Sequence, residues 1–533
     1  MREKEKFYVY ELNTRLWLRE LANKYQRKVR LDNIPDEEIA SFKEWGFDYL
    51  WLMGVWSSTQ EVRKAIFRDP KLLAELKSAL PDLTSEDIVS SPYSINEYKI
   101  DASLGSQEGL LYFKEKLNRY GMKLILDFVP NHVALDHPWV KKNPEFFING
   151  TTEDLEKNPE LFFRPDNSRA ILAYGKDPYF PAWKDVAQLN YFNPSTHKAM
   201  QEVLFDIAPF CDGLRCDMAM LILMRIQKEI WGERVFNGNK FNEPETEFWQ
   251  EAIRGIRKVS PDFIFIAEVY WGLEHELVSL GFDYVYDKAL YDALRDGDVE
   301  RVRRYLLEDD GVRYNRLSFI ENHDEGRALA VFGLQKSKAA ALIMLLMPGM
   351  YLFHQGQFEG FREKVPLRLI RRPNEEVNPQ VCSFYRKLLS EMKDIIQYNN
   401  HWTVLEPSSA WEGNTTDKNF LYVINSQYYL AVINYSTVQS QCYVHFDTFA
   451  APNRILSGHG IEAPLSINPE HTLAFRPESR RVDLGGLKAK NVLFKDLLGS
   501  AEYVRNSQEI SSRGLYLDMP AYGFHLFRIS GMD

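Results

Sequence analysis

Eight short apolar runs recur along this chain, and helix-like segments separate them. The runs are FYVYEL from Phe7, FDYLWLM from Phe47, MKLILDFV from Met122, DGLRC from Asp212, FIFIA from Phe263, FDYVY from Phe282, LSFI from Leu317 and MYLFH from Met350. Apolar strands without alternation suit a sheet buried on both faces, and a parallel sheet is buried in this way by its crossover helices. The intervening segments carry the helical period. GSQEGLLYFKEKLNRYG sets Leu110, Phe113 and Leu117 at i, i+3 and i+7 and stops on Gly121, and Trp249, Ile253 and Ile256 are spaced in the same way after Pro244. Eight such pairs predict a closed (β/α)8 TIM barrel. A doubly wound open sheet is disfavoured, because no glycine-rich phosphate loop follows any of the strands.

Two intervals break the alternation. Residues 57–90, after the second run, hold helical pieces such as PKLLAELKSAL, and residues 133–193, after the third, are rich in Pro, Asn, Asp and aromatics. Both follow strand C-terminal ends, where barrel loops build functional sites. Past residue 399 the pattern becomes FLYVINS, YYLAVINYS, QCYVHFDTF and YGFHLFRIS, short alternating strands that predict an antiparallel β domain. The 533 residues exceed what a single hydrophobic core organises. The expected division is residues 1–132 as the first part of the barrel and 133–194 as an inserted domain B. Residues 195–398 form the second part of the barrel, and 399–533 a C-terminal β-sandwich.

A net charge of −10 argues against a nucleic-acid surface. The longest apolar run, AAALIMLLM from Ala339, is broken by Pro348-Gly349 and falls short of the ~20 residues that a membrane span needs. It reads as a core helix. No apolar segment of the signal-peptide kind follows MREKEK. Cys211, Cys216, Cys382 and Cys442 lack metal-ligand spacing, and the first two, five positions apart on a strand, lie roughly 16 Å from each other, too far for a disulfide. These features together predict a cytoplasmic protein. The glycosylation-type matches at Asn149 and Asn414 are then expected to be chance.

A polar residue at the C-terminal end of a barrel strand points to the active-site mouth. The third strand ends in DFVPNH (Asp127, Asn131, His132), the fourth in GLRCD (Arg215, Asp217), the fifth in IAEVYW (Glu268, Tyr270, Trp271) and the seventh in ENHDEGR (Asn322, His323, Asp324, Arg327). Any one of these acids alone reads as a helix cap or a solvated loop residue. Three carboxylates converging on one mouth read otherwise. Arg215 and Asp217, at i and i+2, share a face, so the arginine is expected to hold Asp217 ionised, as a nucleophile requires. Glu268 has no cation within several residues along the chain, and burial is expected to keep it protonated, as a general acid requires. Such a pair, ~5 to 5.5 Å apart, cleaves glycosidic bonds with retention. A metal-dependent hydrolase is disfavoured, because His132, His323 and His354 lack further clustered ligands.

In this order, DFVPNH, GLRCDMAM, IAEVYW and FIENHD are similar to the four signature segments of the α-amylase family of glycoside hydrolases. SPYSINEY resembles that family's aromatic segment after the second strand, DVAQLN its short segment late in domain B, and MPGMYLFHQGQ its eighth-strand segment. The resemblance covers about residues 7 to 360. It implies Asp217 as nucleophile, Glu268 as general acid/base and Asp324 as the carboxylate that stabilises the oxocarbenium-like transition state. His132, Arg215 and His323 would ring the same sugar, Tyr93 would stack on it, Trp271 and Arg327 would add contacts, and Asp127 and Asn131 would stand behind them. The implied partner is an oligo- or polysaccharide, with no nucleic acid and no membrane.

The match departs at Met220 and Leu221, where members acting on long α-glucans carry a Lys-His pair that helps hold calcium. No cofactor is therefore expected, with calcium at Asn131 and domain B carboxylates as the alternative. Arg327, three residues after Asp324, resembles members acting on short oligosaccharides. The resemblance implies double-displacement cleavage of α-glucosidic bonds in α-glucans or maltooligosaccharides. Transglycosylation of a glucanotransferase, sucrose or trehalose type shares the covalent intermediate and stays open. A non-catalytic carbohydrate-binding relative would be expected to lack a carboxylate, and none is missing.

Overall fold

The computed structural model describes residues 7–58, 66–67, 69–307, 311–398, 402–449 and 489–532. MREKEK and part of the 57–90 interval lie outside them. The described residues fall into two compact units, one drawn from Met1–Tyr291, Asp310–Ser337 and Ile343–Ser390, the other from Asp292–Asp309, Lys338–Leu342 and Glu391–Asp533.

The first unit holds the barrel. Its strands are β1 (Phe7–Asn13), β2 (Tyr49–Met53), β3 (Lys123–Phe128), β4 (Gly213–Cys216), β5 (Ile264–Ala267), β6 (Tyr284–Tyr286), β7 (Arg316–Ser318) and β8 (Met350–His354). Each lies parallel to the next and β8 returns to β1, so the barrel is closed. All eight apolar runs became these strands. Leu50, Ile125, Leu214, Phe265 and Leu352 are fully buried, as a sheet covered on both faces demands. Entry into β8 depends on Gly349, whose φ is +108° and where a Cβ would collide with the Arg316 carbonyl.

The helix Gln107–Arg119 shows how local sequence fixes a crossover. Ser106 caps its N-terminus by accepting from the Gly109 N–H at 3.1 Å. Its Leu110, Phe113 and Leu117 stripe is fully buried, at about 1.5–3 kcal/mol per side chain, and Gly121, at φ +67°, turns the chain toward β3. Phe113→Ala would open a cavity costing about 3–5 kcal/mol.

Two excursions leave the C-terminal ends of strands. After β2, Trp56–Ser58 pairs with Ile95–Ile100, and between them the helix Pro70–Ala79 starts on an Asp69 cap. Ile66, Leu76, Leu80 and Ile88 from this interval form a small core with Leu369. After β3, domain B is a four-stranded sheet in the order His132–Ala134, Trp183–Gln188, Leu172–Gly175, Phe162–Phe163.

The second unit contains an antiparallel assembly of eight strands running from Trp402–Ser409 to Phe524–Met532. Trp402–Val404 pairs with one neighbour and Leu405–Ser409 with another, across a register shift, so this strand passes from one sheet to a second. Leu405, Phe420, Tyr422, Val432, Phe494 and Phe527 are among the residues of its core. No helix among the described residues is long and apolar enough to cross a membrane. The run from Ala339 is a buried stretch of the helix Gly333–Leu346, and the four cysteines are free thiols.

Candidate active site

The register of β4 explains the centre of the site. Arg215 lies opposite Asp127 on β3 and Ile266 on β5, so its side chain enters the barrel mouth between two strands that each deliver an acid. Nη1 is 2.8 Å from Asp217 Oδ1 and 3.6 Å from Asp127 Oδ1, while Nη2 is 2.8 Å from Glu268 Oε2. Nε donates to the Tyr286 hydroxyl at 3.1 Å. The guanidinium carbon lies 5.2 Å from the centres of the Trp51 and Tyr93 rings and 5.5 Å from that of Tyr286. A flat, always-charged fork is the one side chain that can hold two carboxylates and pack against rings at once.

This arrangement corrects the expectation for the two acids. Glu268 does have a cation, supplied across the sheet by Arg215 and not along the chain. With one guanidinium shared, burial, and after it the neighbouring Glu268 carboxylate, push the Asp217 carboxyl up to about 8, against the pull of Arg215. Burial likewise pushes Asp127 up to about 6.

Glu268 is held by two further donors. Its Oε2 accepts from the Met218 backbone N–H at 2.7 Å and its Oε1 from the Tyr270 hydroxyl at 2.9 Å. Met218 reaches this position in the left-handed region, at φ +42°, a strain of about 1–3 kcal/mol for a side chain of this kind. Trp271, at φ +65°, turns the loop after Glu268 outward and meets Tyr179 of domain B edge-on at 5.1 Å between ring centres.

On the opposite side, Asp324 presents a side chain that is 41% exposed, with Oδ2 at 2.9 Å from His323 Nε2. Tyr93 Oη lies 2.9 Å from the same nitrogen, and Glu11 binds Nδ1. Burial alone would depress the imidazole, but Asp324 and Glu11 raise it to about 10, so it is a cation at neutral pH. That charge, opposing the effect of burial, holds Asp324 well below the usual carboxylate range. His132 is brought down to about 4 by burial and is neutral.

Asp217, Glu268, Asp324, Arg215, His323, Tyr93 and Asp127 thus form one connected cluster. Arg327 stands apart from it, buried, with Nη1 at 3.0 Å from Glu321 Oε1, 3.0 Å from the Gln355 carbonyl and 2.8 Å from His354 Nδ1. Sequence reasoning missed Glu11, Trp51 and Tyr286. The signal for Glu11 was an acid inside the otherwise apolar FYVYEL, and aromatic content hid the other two.

Asn131 bears on the question of calcium. The Gln188 Nε2 amide donates to Asn131 Oδ1 at 2.8 Å, to the Asn131 carbonyl at 3.0 Å and to the Leu189 carbonyl at 3.2 Å, and Asn131 Nδ2 returns a bond to Gln188 Oε1 at 3.3 Å. Calcium needs six to eight oxygens. Here a nitrogen donor occupies the space that the oxygens enclose, and the residues present do not fit the ion. Among the described residues, no group of three or more His, Cys, Asp or Glu side chains gathers to hold a metal.

Comparison with known proteins agrees with this geometry. The family model for the alpha amylase catalytic domain matches residues 37–451. Over 304 residues the chain is 23% identical to Alpha-amylase 3 of Dictyoglomus thermophilum, covering 53% of this chain and 56% of that one. Over 245 residues it is 25% identical to an alpha-1,4-glucan:maltose-1-phosphate maltosyltransferase of Streptomyces coelicolor, covering 44% and 30%. The matches therefore span about half of these relatives or less. A solved maltogenic alpha-amylase from Thermotoga neapolitana shares the fold over 99% of both chains, with a TM-score of 0.63 at 17% identity. With its barrel closed, three carboxylates at the mouth and a family match over most of its length, the chain belongs to the α-amylase family of glycoside hydrolases and transglycosylases.

Proposed function

We propose that this enzyme cleaves α-glucosidic bonds in α-glucans or maltooligosaccharides with net retention, through a glycosyl ester on Asp217. The observation that carries the reading is the Arg215 fork, which places Asp217 and Glu268 on adjacent nitrogens of one buried cation. The general-acid role requires Glu268 to hold a proton when the substrate arrives, with Asp217 as the carboxylate. A glycosidic oxygen approaching Glu268 takes that proton as its bond to the anomeric carbon breaks, and the Asp217 carboxylate forms the new bond from the opposite face. Positive charge developing on the sugar ring faces Asp324, which His323 keeps ionised. Glu268 then removes a proton from the incoming hydroxyl, which displaces Asp217 and restores both groups. Neutral His132 and the Tyr93 ring bound the same sugar. Side chains of this chain carry every proton and charge in these steps, and with Gln188 filling the Asn131 oxygens we propose activity without resident calcium.

Transfer to a sugar hydroxyl is the second reading, favoured by the exposed aromatic pair Trp271 and Tyr179 beside the Glu268 loop. A test of the double displacement uses Glu268→Ala, an activated α-glucoside that leaves without acid help, and azide, which needs no general base. The expected product is the α-glycosyl azide. A β-glycosyl azide would mean direct displacement and would remove the nucleophile role from Asp217.

A further inference from the structure

Residues 82–89, late in the interval after β2, and residues 368–371 after β8 are built into one body. Ile88 bridges Leu369, the Val89 N–H donates to the Arg368 carbonyl at 2.9 Å, and the Ile370 N–H donates to the Asp87 carbonyl at 3.0 Å. Arg371 grips Asp82 and Asp87 together at 2.9–3.0 Å, and its hydrogen bonds hold buried Asp87 well below the usual carboxylate range. With the apolar core around Leu76 and Leu369 behind it, this is a fixed wedge.

From the wedge, a strap of residues 364–371 crosses the groups that bound the glycone. At one end the Lys364 ammonium donates to the Asp324 backbone carbonyl. Four residues on, a span of at most about 14 Å, Arg368 Nη2 lies 2.7 Å from Asp185 Oδ2 of domain B. The same oxygen accepts from Ser94 Oγ at 2.7 Å, next to Tyr93 in the chain, and the Asp185 charge is felt at His132. Asp324, Tyr93 and His132 are thus tied together along one edge. Between Lys364 and Val365 of the strap and His323, Arg327 and His354, the cavity that remains measures about 20 Å³, room for one water and not for a sugar ring. The Glu268 side, where the leaving group departs, carries the exposed rings Tyr179 (70%), Phe180 (69%) and Trp271 (39%).

We propose that the strap and wedge close the cleft just beyond the glycone, so that the enzyme attacks the free non-reducing ends of maltooligosaccharides and detaches one glucosyl unit at a time. This rests on the proposed function above. Interior bonds of end-blocked or cyclic glucans cannot then reach Asp217, because no chain can continue past the strap.

The test compares maltopentaose carrying a fluorescent tag at its reducing end with the same molecule whose non-reducing end is capped by a 4,6-O-ethylidene group, using the full chain and reading product lengths. The expected result is stepwise shortening of the free oligosaccharide from its untagged end and at least 100-fold slower cleavage of the capped one. Rates within threefold of each other would overturn the proposal while leaving the double displacement standing. Failure to cleave either substrate or any activated α-glucoside would remove both readings. Arg368→Ala, which frees one end of the strap, is expected to raise the capped-to-free rate ratio at least tenfold. An unchanged ratio in folded variant protein would show that the latch does not set the limit.

Discussion

Glu11, fully buried in the first barrel strand, binds Nδ1 of His323, which stands 312 residues later on the loop after the seventh. This contact and Asp324 together keep the imidazole charged, and the charged imidazole keeps Asp324 ionised. The sign follows directly. A histidine raised from its ordinary value near 6.5 to about 10 contributes stability that is complete below about pH 6.5 and is lost as pH rises toward 10. Glu11→Gln is therefore expected to shift the alkaline loss of both melting temperature and kcat to lower pH. At neutral pH it should cost about 3 kcal/mol, since it strips one partner from a buried pair. Melting curves and kcat measured from pH 6 to 10 check this, and coincident profiles for variant and parent would refute it.

Asp217→Asn, Glu268→Gln and Asp324→Asn are each expected to lower kcat by on the order of 10³ or more while the protein stays folded, because each acts on the transition state. Turnover near the parent's in any folded, purified variant would take that residue out of the trio.

Arg215→Lys keeps the charge and loses the fork. A single ammonium cannot sit 2.8 Å from both Asp217 and Glu268 in the parent geometry. The expected outcome is a fall in kcat of about 100-fold with a much smaller change in KM, measured on an activated α-glucoside. A change confined to KM would mean that the arginine serves only to hold the sugar.

Removing divalent ions should leave activity and melting temperature unchanged, because the Gln188 amide already satisfies the Asn131 oxygens. Gln188→Glu replaces that donor with a carboxylate and is expected to make stability respond to calcium. Loss of parent activity in EDTA that calcium alone restores would contradict the proposal.

The barrel was legible because parallel strands covered on both faces are predominantly apolar, and the eight runs from FYVYEL to MYLFH show that composition visibly. The strand-end acids were legible for the same reason, since they end apolar runs. What happens across strands was not. That Arg215 reaches Glu268 depends on β4 lying against β5 in one register, and no spacing along the chain expresses it. Arg327 could be placed after the seventh strand, but whether it turned to the mouth or toward Glu321 depended on His354 and Gln355 at the end of the eighth. PKLLAELKSAL announced its helix, yet its docking on Leu369 joins segments almost three hundred positions apart.

The clasp on Glu268 comes from the main chain of Met218 and not from a side chain. Among coded residues only proline lacks that hydrogen, so substitution at position 218 can alter the local strain and yet leave the donor in place. The tether between the acid/base and the strand carrying the nucleophile is thereby insulated from side-chain drift. Loops around the mouth can exchange aromatics, lengthen or change partners, and new specificities can arise, while the interval across which the bond is broken stays tied to the backbone.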